Sequence, residues 1–256
     1  MRGPSFKERM AEGRPMLGTF LQIPSGEPAE IAASAGLDFG IVDTEHGMLG
    51  TDASLEMIRG CDAAGLTTMY RVPLLDHHRI GLALDMGASA VMVPNVVNRE
   101  QADLVMDAAK YHPVGSRGVC IFSRAPGYNA EAEGRGYYER ANHETAVILQ
   151  IEGMEGIANL DSILETPHLD CIFIGPYDLS QSMGMPGAVT DDKVLDAMKD
   201  IVERAAARGI AMANFPVTVE QAKKYREIGV RFLAFGTDTL VLQRAYRDCR
   251  AAILGD

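Results

Sequence analysis

At 256 residues the chain has the length of one or two average domains, and also that of a single eight-stranded β/α barrel. A composition of 47% hydrophobic and 23% charged residues excludes a disordered polymer and supplies a sizeable core. Twenty-four Lys and Arg against 35 Asp and Glu leave a net charge of −11, which excludes a nucleic-acid partner unless a local basic patch exists; the tightest basic cluster, Lys223, Lys224 and Arg226, has the spacing of a solvated helix face.

Short apolar or β-branched runs alternate with segments of helical spacing along the chain. The predicted strands are 17–22, 38–43, 67–72, 90–94, 145–151, 171–175, 209–215 and 231–236, each followed by a helical segment, the last three over about 191–208, 218–228 and 238–252. Strands that read as continuous apolar runs are buried on both faces, and strict βα alternation implies parallel crossovers. Eight such units, with no linker to divide them, predict one α/β domain over residues 1–256, a (β/α)₈ TIM barrel. An open doubly wound sheet is the rival, but no GxGxxG follows the first strand. The long irregular stretch 112–142 is expected to lie over the site.

The N-terminus MRGPSFKERM lacks the apolar core of a signal peptide, and no run approaches the ~18 apolar residues of a membrane span. Cys61, Cys120, Cys171 and Cys249 are too scattered for a metal motif and read as small buried hydrophobes. A cytoplasmic protein without membrane or nucleic-acid partners is expected.

In a barrel of this kind the chemistry sits at the C-terminal ends of the strands. Those ends carry Gln22; Asp43, Glu45 and His46; Arg71; Asn95; Gln150 and Glu152; Tyr177 and Asp178; Asn214; Thr237 and Asp238. Glu152 and Asp178 leave adjacent strands, and two carboxylates without a His or Cys cluster suit a hard cation such as Mg²⁺ or Mn²⁺. They also have the placement of N-caps for the helices that follow. His46 stands three residues after Asp43, a spacing at which the carboxylate would orient the imidazole. Arg71, inside a buried strand, requires a carboxylate or an anionic substrate as partner. The six lysines all fall outside the predicted strands, which disfavours Schiff-base chemistry and leaves metal polarisation as the way to stabilise an enolate.

The segments IVDTEHG (41–47), YRVP (70–73), VMVPNV (91–96), HPVGSRGV (112–119), LQIEG (149–153) and FIGPYDLSQSMG (173–184) together resemble the HpcH/HpaI aldolase family, metal-dependent class II pyruvate aldolases of aromatic and sugar acid catabolism. The similarity runs from about Leu17 to Ala245. The resemblance implies that Glu152 and Asp178 hold a divalent metal (Mg²⁺, Mn²⁺ or Co²⁺) and that Gln150 supports its waters. It implies further that backbone N–H groups around Gly175, Pro176, Tyr177 and Asp178 hold the pyruvyl carboxylate. Arg71 would stabilise the enolate oxygen, and His46, oriented by Asp43, would move the proton of the 4-hydroxyl. The implied reaction is reversible retro-aldol cleavage of a 4-hydroxy-2-oxo acid to pyruvate and an aldehyde, in a homo-oligomer, a hexamer or trimer, with an exchanged C-terminal helix. Rival readings are oxaloacetate decarboxylation, cleavage of a CoA thioester, or an oxoacid-binding barrel without turnover. The chain departs from the family pattern at Cys120, and the segment to Arg124 is about one residue short; Arg124 and Tyr128 are the candidates for contacting the aldehyde, or else loop structure.

Overall fold

The computed structural model describes residues 4–129 and 136–255. Elements follow in the order α1 (Phe6–Ala11), β1 (Met16–Leu21), α2 (Glu27–Ser34), β2 (Phe39–Asp43), α3 (Thr51–Ala64), β3 (Thr67–Arg71), α4 (His77–Asp85), β4 (Ala90–Val93), α5 (Arg99–Ala109), α6 (Gly136–Glu144) and β5 (Ala146–Ile151). The second half adds α7 (Met154–Ala158), α8 (Leu160–Leu164), β6 (Cys171–Ile174), α9 (Pro176–Ser182), α10 (Asp192–Ala206), β7 (Ala211–Asn214), α11 (Val219–Glu227), β8 (Phe232–Thr237) and α12 (Asp238–Leu254). All neighbouring strands pair in parallel and β8 returns to β1, closing the barrel in sequence order. The predicted (β/α)₈ barrel is thus the observed one, and the open sheet is excluded by the β1–β8 ladder.

Strand side chains alternate between two cores, as a period of two requires. Phe39 and Ile41 of β2, Met69 of β3, Ile148 of β5 and Phe173 of β6 fill the barrel interior. Val42, Tyr70, Leu149, Ile172 and Ile174 face the helices. Continuing the inward set towards the strand exits gives Asp43, Arg71 and Gln150, so one alternation that packs the core also delivers the polar residues to the mouth.

The opposite end is closed by α1, an element the strand–helix alternation does not announce. Ser5 and Glu8 form a capping box at its start. Phe6 is fully buried and meets the rings of Phe39 and Phe232 edge-on, at 6.2 and 5.3 Å. Thr67 Oγ1 donates to Pro4 O at 2.8 Å, and Lys7 Nζ pairs with Asp170 at 2.8 Å.

The segment after α5 corrects an expectation. Its described residues between α5 and α6 are tied to the N-terminal end of the barrel, away from the strand exits. Arg117 Nη2 reaches Asp85 at 2.6 Å and its guanidinium covers the Tyr111 ring at 4.6 Å. Arg124 donates to Met86 O at 3.0 Å and to Asp62 Oδ2 at 2.5 Å, both on the helix-to-strand side of β3 and β4. Tyr128 is exposed on the same segment. Arg124 is thus held at the closed end of its own barrel, not at the mouth, and an aldehyde contact by Arg124 or Tyr128 is not part of that mouth's cavity; residues 130–135 of the segment lie outside the described residues. Cys61 and Cys171 are buried as expected, whereas Cys120 and Cys249 are exposed.

Two predictions follow from the closed end. Replacing Phe6 by Ala removes the only ring that seals Phe39 and Phe232 from below among the described residues, and should cost about 3–5 kcal/mol in denaturant unfolding. Lys110 is buried and donates to Asn142 O at 2.9 Å and Thr145 O at 2.5 Å. Burial pushes its ammonium from 10.5 down to about 8, with Asp170 opposing. Above pH 8 the unfolded chain therefore holds more protons at this site than the folded one, so the contribution of Lys110 to stability rises from pH 8 to 10.5 and is lost as pH falls through 8. Unfolding free energies of the wild type and Lys110→Met should diverge in favour of the wild type across that window; a constant difference would contradict the assignment.

Candidate active site

The site grows from the last inward positions of β2 and β3, which are directly paired as Asp43 and Arg71 in the parallel ladder. The Asp43 carboxylate is fully buried and accepts from Arg71 Nε at 2.9 Å, Arg71 Nη2 at 2.8 Å and Gln22 Nε2 at 2.9 Å. It also accepts from the backbone N–H groups of Glu45 at 3.1 Å and His46 at 3.4 Å. Burial alone would raise the Asp43 carboxyl, but the Arg71 hydrogen bonds and charge, aided by Gln22 and the His46 N–H, hold it below the usual carboxylate range. The Arg71 guanidinium lies 4.6 Å over the Phe20 ring, and its Nη1 is 2.9 Å from Glu45 Oε2.

This arrangement corrects the expected link between Asp43 and His46. Five donors occupy the Asp43 oxygens, so nothing remains there for the imidazole. The His46 side chain is 64% exposed, and the carboxylate beside it is that of Glu45, 3.9 Å from Nε2. Asp43 orders the backbone turn that carries His46 without touching its ring.

Across the mouth, β5 delivers Gln150 and Glu152. Glu152 is buried, accepting from the backbone N–H of Asn95 at 2.9 Å through Oε1 and from Gln150 Nε2 through Oε2. Asn95 holds this N–H in place at a φ of 52°, a left-handed conformation that Asn tolerates better than most residues. Gly175 ends β6 so close to Glu152 that an added Cβ would overlap its Oε2 and Cβ and stand 3.3 Å from Gln150 Nε2. Asp178, in the first turn of α9, is exposed to the mouth.

Burial, opposed by Gln150 and the Asn95 N–H and reinforced by the charges of Asp178 and Glu45, pushes Glu152 up to about 7. Glu45 is raised for the same first reason, with Asp43 and Asp178 adding to it and Arg71 opposing. Four carboxylates thus share one guanidinium, and two of them resist ionisation. Gln150 Oε1, moreover, is buried without a hydrogen-bond partner. A donor set of carboxylate oxygens that is short of positive charge, with an acceptor beside it awaiting a donor, fits a hydrated hard cation. Among the described residues no cluster of three or more His, Cys, Asp or Glu is arranged to hold an ion, so the protein would supply two carboxylates and leave the other positions to water or substrate.

Gln22, Asp43, His46, Arg71, Gln150 and Asp178 line a cavity of about 270 Å³ that the rings of Phe20, Phe173, Tyr177 and Phe215 wall on the apolar side. Phe20 and Phe215 meet edge-on at 5.2 Å, and Tyr177 tilts against Phe215 at 6.2 Å. Glu45, Asn95 and Glu152 line an adjoining open cleft that shares His46 and Asp178 with the cavity. Pro176 has no N–H and the Gly175 N–H faces Ile151 O at 3.4 Å, so of the expected backbone donors Tyr177 and Asp178, without intrahelical acceptors in the first turn, remain. Other strand-exit residues serve the fold, Thr237 among them while also lining the cavity. Asn214 turns outward to Met198 Sδ, Thr237 caps α12, and Asp238 accepts the N–H groups of Gln22 and Ile23 at 3.0 Å. The six lysines all lie outside the strands. The aromatic wall and the Glu45–Arg71 contact had no part in the sequence reading; continuing the inward alternation past Met16 would have found Phe20.

The residues 16–245 match the family model described as HpcH/HpaI aldolase/citrate lyase. The hydroxypyruvate/pyruvate aldolase of Deinococcus radiodurans is 35% identical over 249 residues, covering 97% of this chain and 89% of that protein. The 4-hydroxy-2-oxo-heptane-1,7-dioate aldolase of Klebsiella pneumoniae is 34% identical over 241 residues, covering 94% and 90%. Among solved structures, an HpcH/HpaI aldolase/citrate lyase family protein from Burkholderia cenocepacia superimposes with a TM-score of 0.90 at 30% identity, covering 96% of this chain and 98% of that one. The citrate synthase SbnG does so with 0.84 at 31%, covering 98% and 96%. With the family pattern running through the same strand exits that assemble the cavity, the chain belongs to the HpcH/HpaI aldolase/citrate lyase family.

Proposed function

We propose that the protein reversibly cleaves 4-hydroxy-2-oxo acids to pyruvate and an aldehyde, with Glu152 and Asp178 holding a divalent cation, Mg²⁺, Mn²⁺ or Co²⁺. The observation that carries the reading is the shortage of positive charge around one rigid guanidinium at a barrel mouth sized for a small oxoacid. When bound, the cation supplies Lewis-acid polarisation of the 2-keto oxygen.

The chain's own residues do the rest. Arg71, clamped by Asp43 and backed by Phe20, presents its remaining N–H groups to the oxygen that gains charge as the carbon–carbon bond breaks. Gln150 fixes Glu152, and Gly175 leaves room for it. The backbone N–H groups of Tyr177 and Asp178 face the pyruvyl carboxylate. His46, exposed at the rim, takes and returns the proton of the 4-hydroxyl. The aromatic wall excludes water from the apolar part of the substrate.

Assembly as a hexamer or trimer with an exchanged C-terminal helix belongs to the same proposal. It is supported by α12, which buries none of its residues and exposes Val241, Leu242, Tyr246, Ile253 and Leu254. A cytoplasmic setting is supported by four unpaired cysteines. Among the described residues no helix is long and apolar enough to cross a membrane.

A second reading, a citrate-forming condensation, is favoured by the similarity to citrate synthase SbnG. Incubating the protein with pyruvate and a panel of aldehydes, in Mg²⁺, Mn²⁺ or Co²⁺, tests the first reading: aldol product supports it, and its absence with every acceptor and cation overturns it. Glu152→Ala and Asp178→Ala should each lower metal-dependent pyruvate release at least about 100-fold and weaken Mn²⁺ binding measured by calorimetry; full activity in EDTA would overturn the cation's role. Arg71→Ala should cost about 10²–10³-fold in kcat, as loss of an oxyanion donor does elsewhere, and unchanged turnover would remove its role.

A further inference from the structure

Glu45 has no role in that reading, yet it is the second carboxylate on Arg71. Its backbone N–H is held by Asp43 Oδ1, and the turn that follows brings Gly47 so near the Asp43 carbonyl oxygen that an added Cβ would overlap it. The side chain folds back until Oε2 stands 2.9 Å from Arg71 Nη1. That oxygen is buried and has no aligned hydrogen-bond donor, so its contact with Nη1 is ionic and leaves the N–H directions of that nitrogen unspent.

The guanidinium is then defined on three sides. Asp43 takes Nε and Nη2, Phe20 covers one face, and Glu45 stands at Nη1. Two of its five N–H groups are committed to Asp43, and the remaining ones are aimed by wherever Nη1 is held. A carboxylate kept partly buried beside three other acids, with one oxygen unsatisfied, costs stability. Retaining it is explained when it aims that nitrogen.

We infer that Glu45 is a positioning residue: it holds Nη1 of Arg71 so that the uncommitted N–H groups face the reacting oxygen, and it acts on the substrate only through Arg71. The inference rests on the reading of Arg71 given above.

A double-mutant cycle tests it. Glu45→Ala should lower kcat/KM about tenfold, mostly through kcat, while Glu45→Gln, which keeps the shape and an oxygen at Nη1 but loses the charge, should fall between Glu45→Ala and the wild type. In an Arg71→Lys background, which lacks the planar fork, Glu45→Ala should cost less than about twofold. Mn²⁺ affinity by calorimetry should fall equally in Glu45→Ala and Glu45→Gln, which both remove one negative charge from the mouth, and by less than kcat falls in Glu45→Ala. An undiminished tenfold loss in the Arg71→Lys background, a Gln variant as impaired as the Ala variant, or a fall in Mn²⁺ affinity that accounts for the whole loss in Glu45→Ala would each overturn the inference. The same cycle read on the affinity of oxalate in the presence of Mn²⁺ does not need turnover. A wild type that forms no aldol but shows the coupling on oxalate would therefore defeat the aldolase reading alone.

Discussion

The mouth of this barrel is organised around one buried ion pair. Asp43 and Arg71 face each other at the ends of neighbouring strands, and burying two charges there is tolerable only because nearly every valence is used. Gln22, just after β1, and two backbone N–H groups after β2 complete the carboxylate, and the ring of Phe20 covers the guanidinium. The pair therefore ties three consecutive strand exits together and shapes the turn that carries Glu45 and His46. Disturbing either member would leave an uncompensated charge in the interior and release that turn, so geometry and stability are not separable at this point.

From that pair the electrostatics of the mouth follow. The guanidinium is already balanced by Asp43, so Glu45, Glu152 and Asp178 add negative charge with nothing to offset it. Burial makes this expensive for Glu152, which responds by holding its proton up to about pH 7. Protonation and a bound cation are alternative answers to the same excess, and the family to which the chain belongs gives a reason for the second. On the proposed reading, an anion such as an oxoacid, repelled by the net charge of −11 and by these acids, would enter once a cation stood beside Arg71, and substrate and cation binding would be interdependent.

Most of this was legible in the sequence because the strands are buried on both faces and so read as apolar runs that end in polar residues. Asp43, Arg71, Gln150, Glu152 and Asp178 all stand where those runs stop. What stayed hidden depended on direction, not position. Three residues of spacing placed His46 near Asp43, but Arg71, Gln22 and two backbone N–H groups leave the imidazole no oxygen there. The segment carrying Arg124 read as lying over the site because it is long and irregular; its described residues, between α5 and α6, are tied to the other end of the barrel. Phe6 sits in a helix of six residues, too short to show a periodic signal, and its role as a plug exists only once the strands have closed around it.

The two ends of the barrel divide the labour by a physical rule. At the closed end, the buried charges are tied into the fold: Lys110 meets two carbonyls, Arg117 meets Asp85 and an aromatic face, and Phe6 is fully buried against two rings. At the mouth, acceptors are left open, including Gln150 Oε1 and Glu45 Oε2, and Asn95 is held in a left-handed conformation to keep its N–H on Glu152. Both ends draw on the same inward alternation of the strands, in which a one-residue slip would send Asp43 and Arg71 to the helices and bring Val42 and Tyr70 into the mouth. The ladder that fixes the core thus also fixes the site. The open acceptors at the mouth persist because the packing and ion pairs of the closed end stabilise the register that exposes them.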